Sequence, residues 1–189
     1  MQKKHIITIA GKPGSGKSTT AKLVATMLGY DHFSSGDLFR AIASEQQQDV
    51  FSANVAAEKD SSIDLKVDQR LREIGEQEDN KVVDSRTAWH WMPQSFKVYL
   101  ALDFEVAAHR ILGAMDKERL KVENIHDDPK QYATMLEARL ASENRRYDTL
   151  YGIDPSDESN YDLVIDTAVN TPDQVAKLVV DAYLKWQAS

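Results

Sequence analysis

The sequence predicts an α/β fold in which parallel strands alternate with helices around one sheet. Two observations give this prediction. Five short apolar segments are separated by stretches in which apolar residues recur at helical spacing. The first apolar segment enters a glycine-rich turn, and a helix follows that turn directly. A chain of 189 residues fits one domain of this class.

The strands are predicted wherever a short run of apolar or β-branched residues occurs. These runs cover residues 5–10, 30–34, 82–84, 96–102 and 163–166. The third run ends in Asp84. Ligands of open parallel sheets bind beyond the carboxyl ends of the strands, so Asp84 is a candidate site residue.

The helices are predicted from apolar residues spaced three and four apart. They cover residues 20–28, 37–48, 63–77, 105–114, 132–150 and 172–186, and a helical stretch rich in Ala, Glu and Lys continues the second as far as about residue 59. The last helix has Pro172 in its first turn, where a missing N–H is tolerated. Residues 37–79 and 113–130 are charge-rich and interrupt the alternation. At the carboxyl edge of a sheet we expect such insertions to form flaps that exclude water, and solvated surface helices without such a role are the alternative.

Composition narrows the class of protein. The absence of cysteine excludes disulfides and thiolate metal sites. No apolar run approaches the length of a membrane span, and the chain enters its first strand too early for a signal peptide, so we expect a cytoplasmic protein without a membrane partner. The formal net charge of -7 argues against nucleic acid as a partner, and an anionic ligand must be met by locally gathered cations.

Residues 11–19 form a glycine-rich phosphate-binding loop of the form G-x-x-x-x-G-K-[ST]. Between a strand and a helix, this loop directs backbone N–H groups and the positive end of the helix dipole at one point. We expect Lys17 to reach the outer phosphates of a nucleotide and the Ser18 hydroxyl to hold Mg²⁺. The predicted phosphate-binding residues are Gly11, Pro13, Gly14, Ser15, Gly16, Lys17, Ser18 and Thr19.

Two other classes of protein share such a loop. A regulatory GTPase also needs D-x-x-G and N-K-x-D segments. No Asp in this chain precedes a Gly by three positions, and residues 80–84 have one residue too many for the second segment. A non-catalytic nucleotide-binding protein needs no further arginines, whereas this chain has Arg86 just past the third strand and Arg139 and Arg146 on one helix face, with Glu143 between them. Phosphoryl transfer requires such positioned positive charge.

Three segments resemble nucleoside monophosphate kinases. The interior of the glycine-rich loop is similar to the donor segment of this family. Residues 34–40, SSGDLFR, are similar to its acceptor-binding segment. Residues 139–154 and 161–167 resemble the carboxy-terminal signature of cytidylate kinases, especially the short archaeal type. The acidic run from Glu58 to Arg70 also resembles that type.

The resemblance implies that the γ-phosphate of Mg·ATP passes to the 5′-phosphate of CMP or dCMP. It also implies a P-loop kinase fold, a five-stranded parallel sheet flanked by helices, in a protein that acts as a monomer. The expected core covers residues 1–36, 80–112 and 131–189. The acceptor-binding lobe is expected at about residues 37–79 and the lid at about residues 113–130.

The resemblance further implies residue roles. Catalysis is assigned to Lys17, Arg110, Arg119 and Arg146, where Arg110 and Arg119 serve the donor side and the lid. Acceptor binding is assigned to Ser35, Asp37, Arg40, Arg86, Arg139 and Glu143. Mg²⁺ is assigned to Ser18 and, through water, to Asp84.

One loop departs from the archaeal pattern. Residues 84–91 are DSRTAWHW, where the archaeal enzymes resemble E-G-R-L-A-G-W. The bulky Trp89, His90 and Trp91 either stack on the acceptor base or pack beneath a lobe. Because this loop is expected to face the base, a kinase for a different acceptor, such as AMP, another nucleotide or a small molecule, stays open as an alternative.

Overall fold

The computed structural model describes residues 3–47, 60–114 and 128–189. Within these residues, five strands form one parallel sheet in the order β2-β3-β1-β4-β5. The strands are β1 (Ile6–Gly11), β2 (Asp31–Ser34), β3 (Lys81–Asp84), β4 (Phe96–Ala101) and β5 (Leu163–Asp166). The predicted five-stranded parallel sheet is confirmed.

The strand register brings three chain segments to one edge of the sheet. Asp84, at the end of β3, lies opposite Ile9 of β1 and Ser34 of β2. Gly11, at the end of β1, lies opposite Leu100 of β4. The glycine-rich loop therefore starts between the carboxyl ends of β3 and β4, with the end of β2 one strand further along. This edge is where an open parallel sheet binds ligands.

Helices cover both faces of the sheet. In chain order they are α1 (Lys17–Leu28), α2 (Ser35–Glu45), α3 (Ser62–Gln77), α4 (Ala88–Trp91), α5 (Phe104–Ala114), α6 (Pro129–Tyr151) and α7 (Pro172–Ala188), with a 3₁₀ turn at Glu158–Asn160. The sequence prediction missed α4 and the 3₁₀ turn. The helical stretch expected as far as residue 59, and most of the expected lid, lie outside the described residues. None of the described helices combines the length and the apolar character needed to span a bilayer.

Three apolar clusters hold the layers together. The first packs α1 and α7 against one face of the sheet through residues such as Val24, Val98 and Tyr183. The second packs α3 and α4 against the other face, with Leu71, Ile74 and Met92 fully buried. The third joins α5 to α6. The site described below lies where α3 and α6 meet the edge of the sheet.

The end of β1 has room for a glycine alone. Gly11 has a φ of +144°, and a Cβ added there would lie 2.3 Å from the carbonyl oxygen of Leu100. Backbone oxygen cannot withdraw as a flexible side chain can, so this contact fixes how closely β1 and β4 approach at the start of the phosphate loop.

We predict that Gly11→Ala lowers the free energy of unfolding by about 2–4 kcal/mol, because the added methyl group meets backbone and the positive φ is strained for alanine. Gly113→Ala is the matched control, since its Cβ meets nothing within 4 Å and alanine favours a helix. Denaturant unfolding of both variants measures the difference. Equal stability of the two variants would contradict the prediction.

Candidate functional site

The glycine-rich loop presents an uncapped helix end. Gly14 and Gly16 have φ angles of +74° and +85°, in the left-handed region that glycine adopts without strain. Gly16 is the N-cap of α1, and no side chain bonds to the free N–H groups of the first turn, which also lacks acidic residues. The buried Ser15 hydroxyl has no hydrogen-bond partner among the described residues. These unsatisfied donors fit a phosphate group.

Lys17 stands in the first turn of α1 and its amine donates to the carbonyl oxygen of Lys12 at 3.0 Å. Burial, together with the nearby positive charges of Arg86 and Arg139, lowers the pKa of Lys17 to about 7, and the carboxylate of Asp84 offsets only part of this effect. Without a bound anion, the surroundings of Lys17 therefore disfavour the charged amine. Between pH 7 and the ordinary lysine pKa of 10.5, Lys17 is mostly protonated in the unfolded chain and mostly neutral in the folded protein. Because the unfolded chain binds more protons, the free energy of unfolding rises as the pH rises through this window.

Asp84 joins the phosphate loop to the acceptor segment. Its Oδ2 accepts a hydrogen bond from the Ser18 hydroxyl and another from Ser34 Oγ at 3.4 Å. Hydroxyl, carboxylate and water oxygens are the ligands that Mg²⁺ prefers, and proteins commonly hold it with one or two such groups together with substrate phosphates. The described residues contain no cluster of three or more His, Asp or Glu that could hold a metal by themselves. Ser18 and Asp84 thus fit a magnesium ion that depends on a bound nucleotide.

A cavity of about 220 Å³ opens beside Lys17. Five cations line it, and they come from α1, α2, the β3–α4 loop and α6. They are Lys17, Arg40, Arg86, Arg139 and Arg146. Four carboxylates line it as well, namely Asp64, Asp68, Asp84 and Glu143. Of the residues predicted to bind the acceptor, the cavity brings together all except Asp37.

Glu143 lies between two of these arginines. Its buried carboxylate forms ion pairs with Arg86 and with Arg139, the second at 3.0 Å from the Arg139 Nε. Burial, with smaller contributions from Arg139 and Arg146, lowers the pKa of Arg86 to about 10, although Tyr147 opposes the shift. The arginines therefore repel one another, and Glu143 offsets part of that repulsion.

Arg146 makes a second buried ion pair. Its Nε lies 3.2 Å from Asp64 Oδ2, and both side chains are at most 9% exposed. Burial raises the pKa of Asp64 even though Arg146 acts in the opposite direction. The pair links α3 to α6 across the cavity. An ion pair so desolvated contributes to positioning more than to net stability.

The acceptor segment begins at the N-cap of α2. The side chain of Ser34 accepts a hydrogen bond from the Asp37 N–H, while Ser35 and Arg40 line the cavity. The carboxylate of Asp37 faces Arg40 at 2.5 Å, and this bond lowers the pKa of Asp37. Asp37 thus holds Arg40 and is absent from the cavity wall, unlike the other residues assigned to acceptor binding.

Two further arginines, Arg110 and Arg119, were assigned to catalysis. Arg110 is on α5, outside the cavity, where it donates to the carbonyl oxygens of Thr167 at 2.6 Å and Ala168 at 3.3 Å. This places it at the loop that follows β5. Arg119 lies outside the described residues, as does most of the expected lid.

The aromatic loop that departs from the archaeal pattern packs away from the cavity. Ser85, Arg86 and Thr87 line the cavity, whereas the next aromatic residues do not. Trp89 packs on Tyr161 at 5.8 Å between ring centroids, and the edge of Trp91 meets Tyr151 at 5.0 Å. Trp91 also packs under Arg72 of α3, at 3.9 Å from the ring centroid, so packing beneath the lobe is the alternative that agrees with the contacts of Trp91, whereas Trp89 packs on the core.

Sequence reasoning gave no role to Asp64, Asp68 or Tyr147, which all line the cavity. Asp64 and Asp68 were part of the acidic run noted above, and their spacing of four residues places them on one face of a helix. That spacing was the available signal. Their partners on α4 and α6 could not be inferred, because those contacts join residues 19 to 83 positions apart.

Comparison with known proteins places the chain in one family. The model of the cytidylate kinase-like family matches residues 6–169. A protein named cytidylate kinase from Halobacterium salinarum is 39% identical over 186 residues, covering 97% of this chain and 91% of the relative. One of the same name from Sulfurisphaera tokodaii is 35% identical, covering 96% of each.

Solved structures agree at the level of the fold. A shikimate kinase from Bacteroides thetaiotaomicron superposes with a TM-score of 0.61 at 16% identity, covering 97% of this chain and 96% of the other. A gluconokinase from Sinorhizobium meliloti gives 0.60 at 14% identity, covering 100% and 96%. The predicted P-loop kinase fold is confirmed.

We predict that binding of ATP to this site weakens between pH 8 and pH 9, by up to about tenfold for one proton. Phosphate oxygens favour the charged form of Lys17, so the ligand must recharge an amine whose pKa is about 7 in the empty protein. Phosphate itself has its second pKa near ~6 and is fully ionised in this window.

Calorimetric titration with ATP across that pH range is the measurement. Lys17→Arg is the control, since a guanidinium stays charged at these pH values and removes the dependence. If both proteins show the same pH dependence, Lys17 is not the group that takes up the proton.

Proposed function

The chain belongs to the cytidylate kinase-like family, and on this premise we propose that it transfers the γ-phosphate of ATP to the 5′-phosphate of CMP or dCMP, giving ADP and CDP or dCDP. The observation that supports this best is the cavity in which Lys17 of the phosphate loop faces four arginines. Two polyanionic groups must approach each other for this reaction, and a cluster of fixed cations lowers the cost of their approach.

The donor half of the reaction uses the glycine-rich loop. In this proposal the backbone N–H groups of the loop and the start of α1 hold the ATP phosphates, and Lys17 contacts the transferring group. Ser18, together with Asp84 acting through water, holds Mg²⁺. When bound, this ion neutralises charge on the outer phosphates. Arg110 supports the donor side from α5, and Arg119 does so from the lid.

The acceptor half uses the arginine cluster. Arg40, Arg86 and Arg139 hold the phosphate of CMP, which takes over charge compensation that Glu143 supplies in the empty site. Glu143 orients the acceptor ribose or a neighbouring arginine. Arg146, held by Asp64, stabilises charge on the group in transfer.

Phosphoryl transfer also requires that water be excluded, because water is the competing acceptor. We propose that residues 37–79 form the acceptor-binding lobe and that residues 113–130 close over the donor as a lid, both on a core made of residues 1–36, 80–112 and 131–189. We further propose a cytoplasmic monomer that has no nucleic-acid or membrane partner.

We predict that CMP or dCMP gives a higher kcat/KM than AMP, GMP or UMP with Mg·ATP as donor. The measurement is a coupled assay of ADP release over a panel of nucleoside and deoxynucleoside monophosphates, with shikimate and gluconate as non-nucleotide acceptors. A preference for AMP or for a non-nucleotide overturns the cytidylate assignment and leaves a kinase. Binding of ATP without turnover of any acceptor indicates a non-catalytic nucleotide-binding protein.

We predict that Lys17→Ala lowers kcat by about 100- to 1,000-fold while the protein stays folded, because a positive charge on the transferring phosphoryl group is lost. Lys22→Ala, an exposed lysine on the same helix, is the matched control and keeps normal turnover. Circular dichroism checks the fold. Near-normal turnover of the Lys17 variant would remove the phosphate loop from the catalytic mechanism.

A further inference from the structure

We propose that Asp68 accepts a hydrogen bond from the exocyclic amino group of the acceptor base and thereby selects cytosine over uracil. The proposal rests on the function proposed above and concerns the specificity of the same site. It follows from how Asp68 is held, from the charge of its partners and from its place along the cavity.

Asp68 is held in one orientation by three elements of the fold. It belongs to α3, lines the cavity and is 3% exposed. Its Oδ1 accepts hydrogen bonds from Thr87 Oγ1 at 3.0 Å and from Trp91 Nε1 at 3.1 Å. Its Oδ2 accepts one from the hydroxyl of Tyr151 at 2.5 Å. Because two oxygens can accept about four hydrogen bonds, one acceptor position is left for a ligand.

The partners of Asp68 differ in charge from those of Glu143 and Asp64, the two cavity carboxylates that pair with arginines. Glu143 pairs with Arg86 and Arg139, and Asp64 pairs with Arg146. The three groups that donate to Asp68 are a hydroxyl, an indole and a phenol, all of them neutral. Its negative charge is therefore directed at the cavity with less compensation, and it attracts an N–H donor and repels a carbonyl oxygen.

Asp68 also lies at a different level of the cavity from the arginines. It follows Asp64 by four residues, which is about 6 Å along α3. On α6, Tyr151 follows Arg146 by five residues, so both helices place the Asp68–Tyr151 pair beyond the Asp64–Arg146 pair. A nucleotide whose phosphate contacts the arginines extends its base in this direction. Val67 and Phe39 line the same cavity and offer apolar surface to a base.

The chemistry of the pyrimidines then decides between acceptors. Cytosine has an amino group at C4, which donates to a carboxylate, whereas uracil has a carbonyl oxygen at the same place. Uracil would leave two acceptors facing each other in a buried site, with neither satisfied. Thr87 and Trp91 belong to the loop that departs from the archaeal pattern, so this loop affects the base through Asp68 and not by stacking.

The test compares kcat/KM for three acceptors: CMP, UMP and the 5′-monophosphate of pyrimidin-2-one riboside, which is CMP without its amino group. With the wild-type protein we expect CMP to exceed both others by at least about tenfold. In Asp68→Asn the ratio of CMP to UMP falls by about 10- to 100-fold, because the amide can donate to the uracil carbonyl. The advantage of CMP over its desamino analogue is lost as well.

Tyr151→Phe is the matched control, because it removes one hydrogen bond to Asp68 and keeps the carboxylate. We expect it to change kcat/KM for all three acceptors by a similar factor. If Asp68→Asn does not fold, Asp68→Glu replaces it, since the displaced carboxylate lowers kcat/KM for CMP and leaves the value for the desamino analogue unchanged.

Equal effects of Asp68→Asn and Tyr151→Phe on the ratio would show that Asp68 is structural and overturn the inference. So would a wild-type protein that uses CMP and its desamino analogue equally well. Both results leave the proposed function intact. If the wild-type protein phosphorylates no nucleotide, the proposed function is wrong, and the inference that rests on it is wrong as well.

Discussion

The site depends on holding five cations around a cavity of about 220 Å³ before any substrate is present. Like charges so close repel strongly, because the surrounding protein screens them less than water does. The buried carboxylates of Asp64 and Glu143 make the arrangement possible by pairing with three of the arginines. Lys17 has no carboxylate that fully offsets its burial, and its lowered pKa follows from that. The empty protein is thus prepared for anions.

This electrostatic arrangement explains where the elements of the fold meet. The cations belong to α1, α2, the β3–α4 loop and α6, while two of the compensating carboxylates belong to α3 and α6. The carboxyl edge of this parallel sheet, with helices arriving from both faces, brings these chain segments to one point. The apolar clusters on the two faces hold those segments there, and the ion pairs fix their relative positions.

The sequence allowed the sheet and the phosphate loop to be predicted, because a buried strand, a G-x-x-x-x-G-K-S segment and a helix are local patterns. The spacing of Arg139, Glu143 and Arg146 also predicted a shared face, and all three line the cavity. Two kinds of feature could not be predicted, namely contacts between residues far apart in the sequence and very short helices. Tyr151 reaches Asp68 across 83 positions, and α4 has only four residues, too few to show a helical period. The packing of Trp89 and Trp91 depends on the long-range contacts and on this short helix, so it could not be predicted.

The shared oxygen of Asp84 has a thermodynamic consequence. It accepts hydrogen bonds from Ser18, in the first turn after the phosphate loop, and from Ser34, which caps the helix that presents Arg40. A ligand that draws this oxygen toward the phosphate loop also changes the cap of α2. Linkage is reciprocal, so an acceptor that alters the cap changes the affinity for the donor by the same factor. Under the proposed function, this carboxylate oxygen couples the donor and acceptor sites, so an affinity measured for either substrate depends on the occupancy of the other.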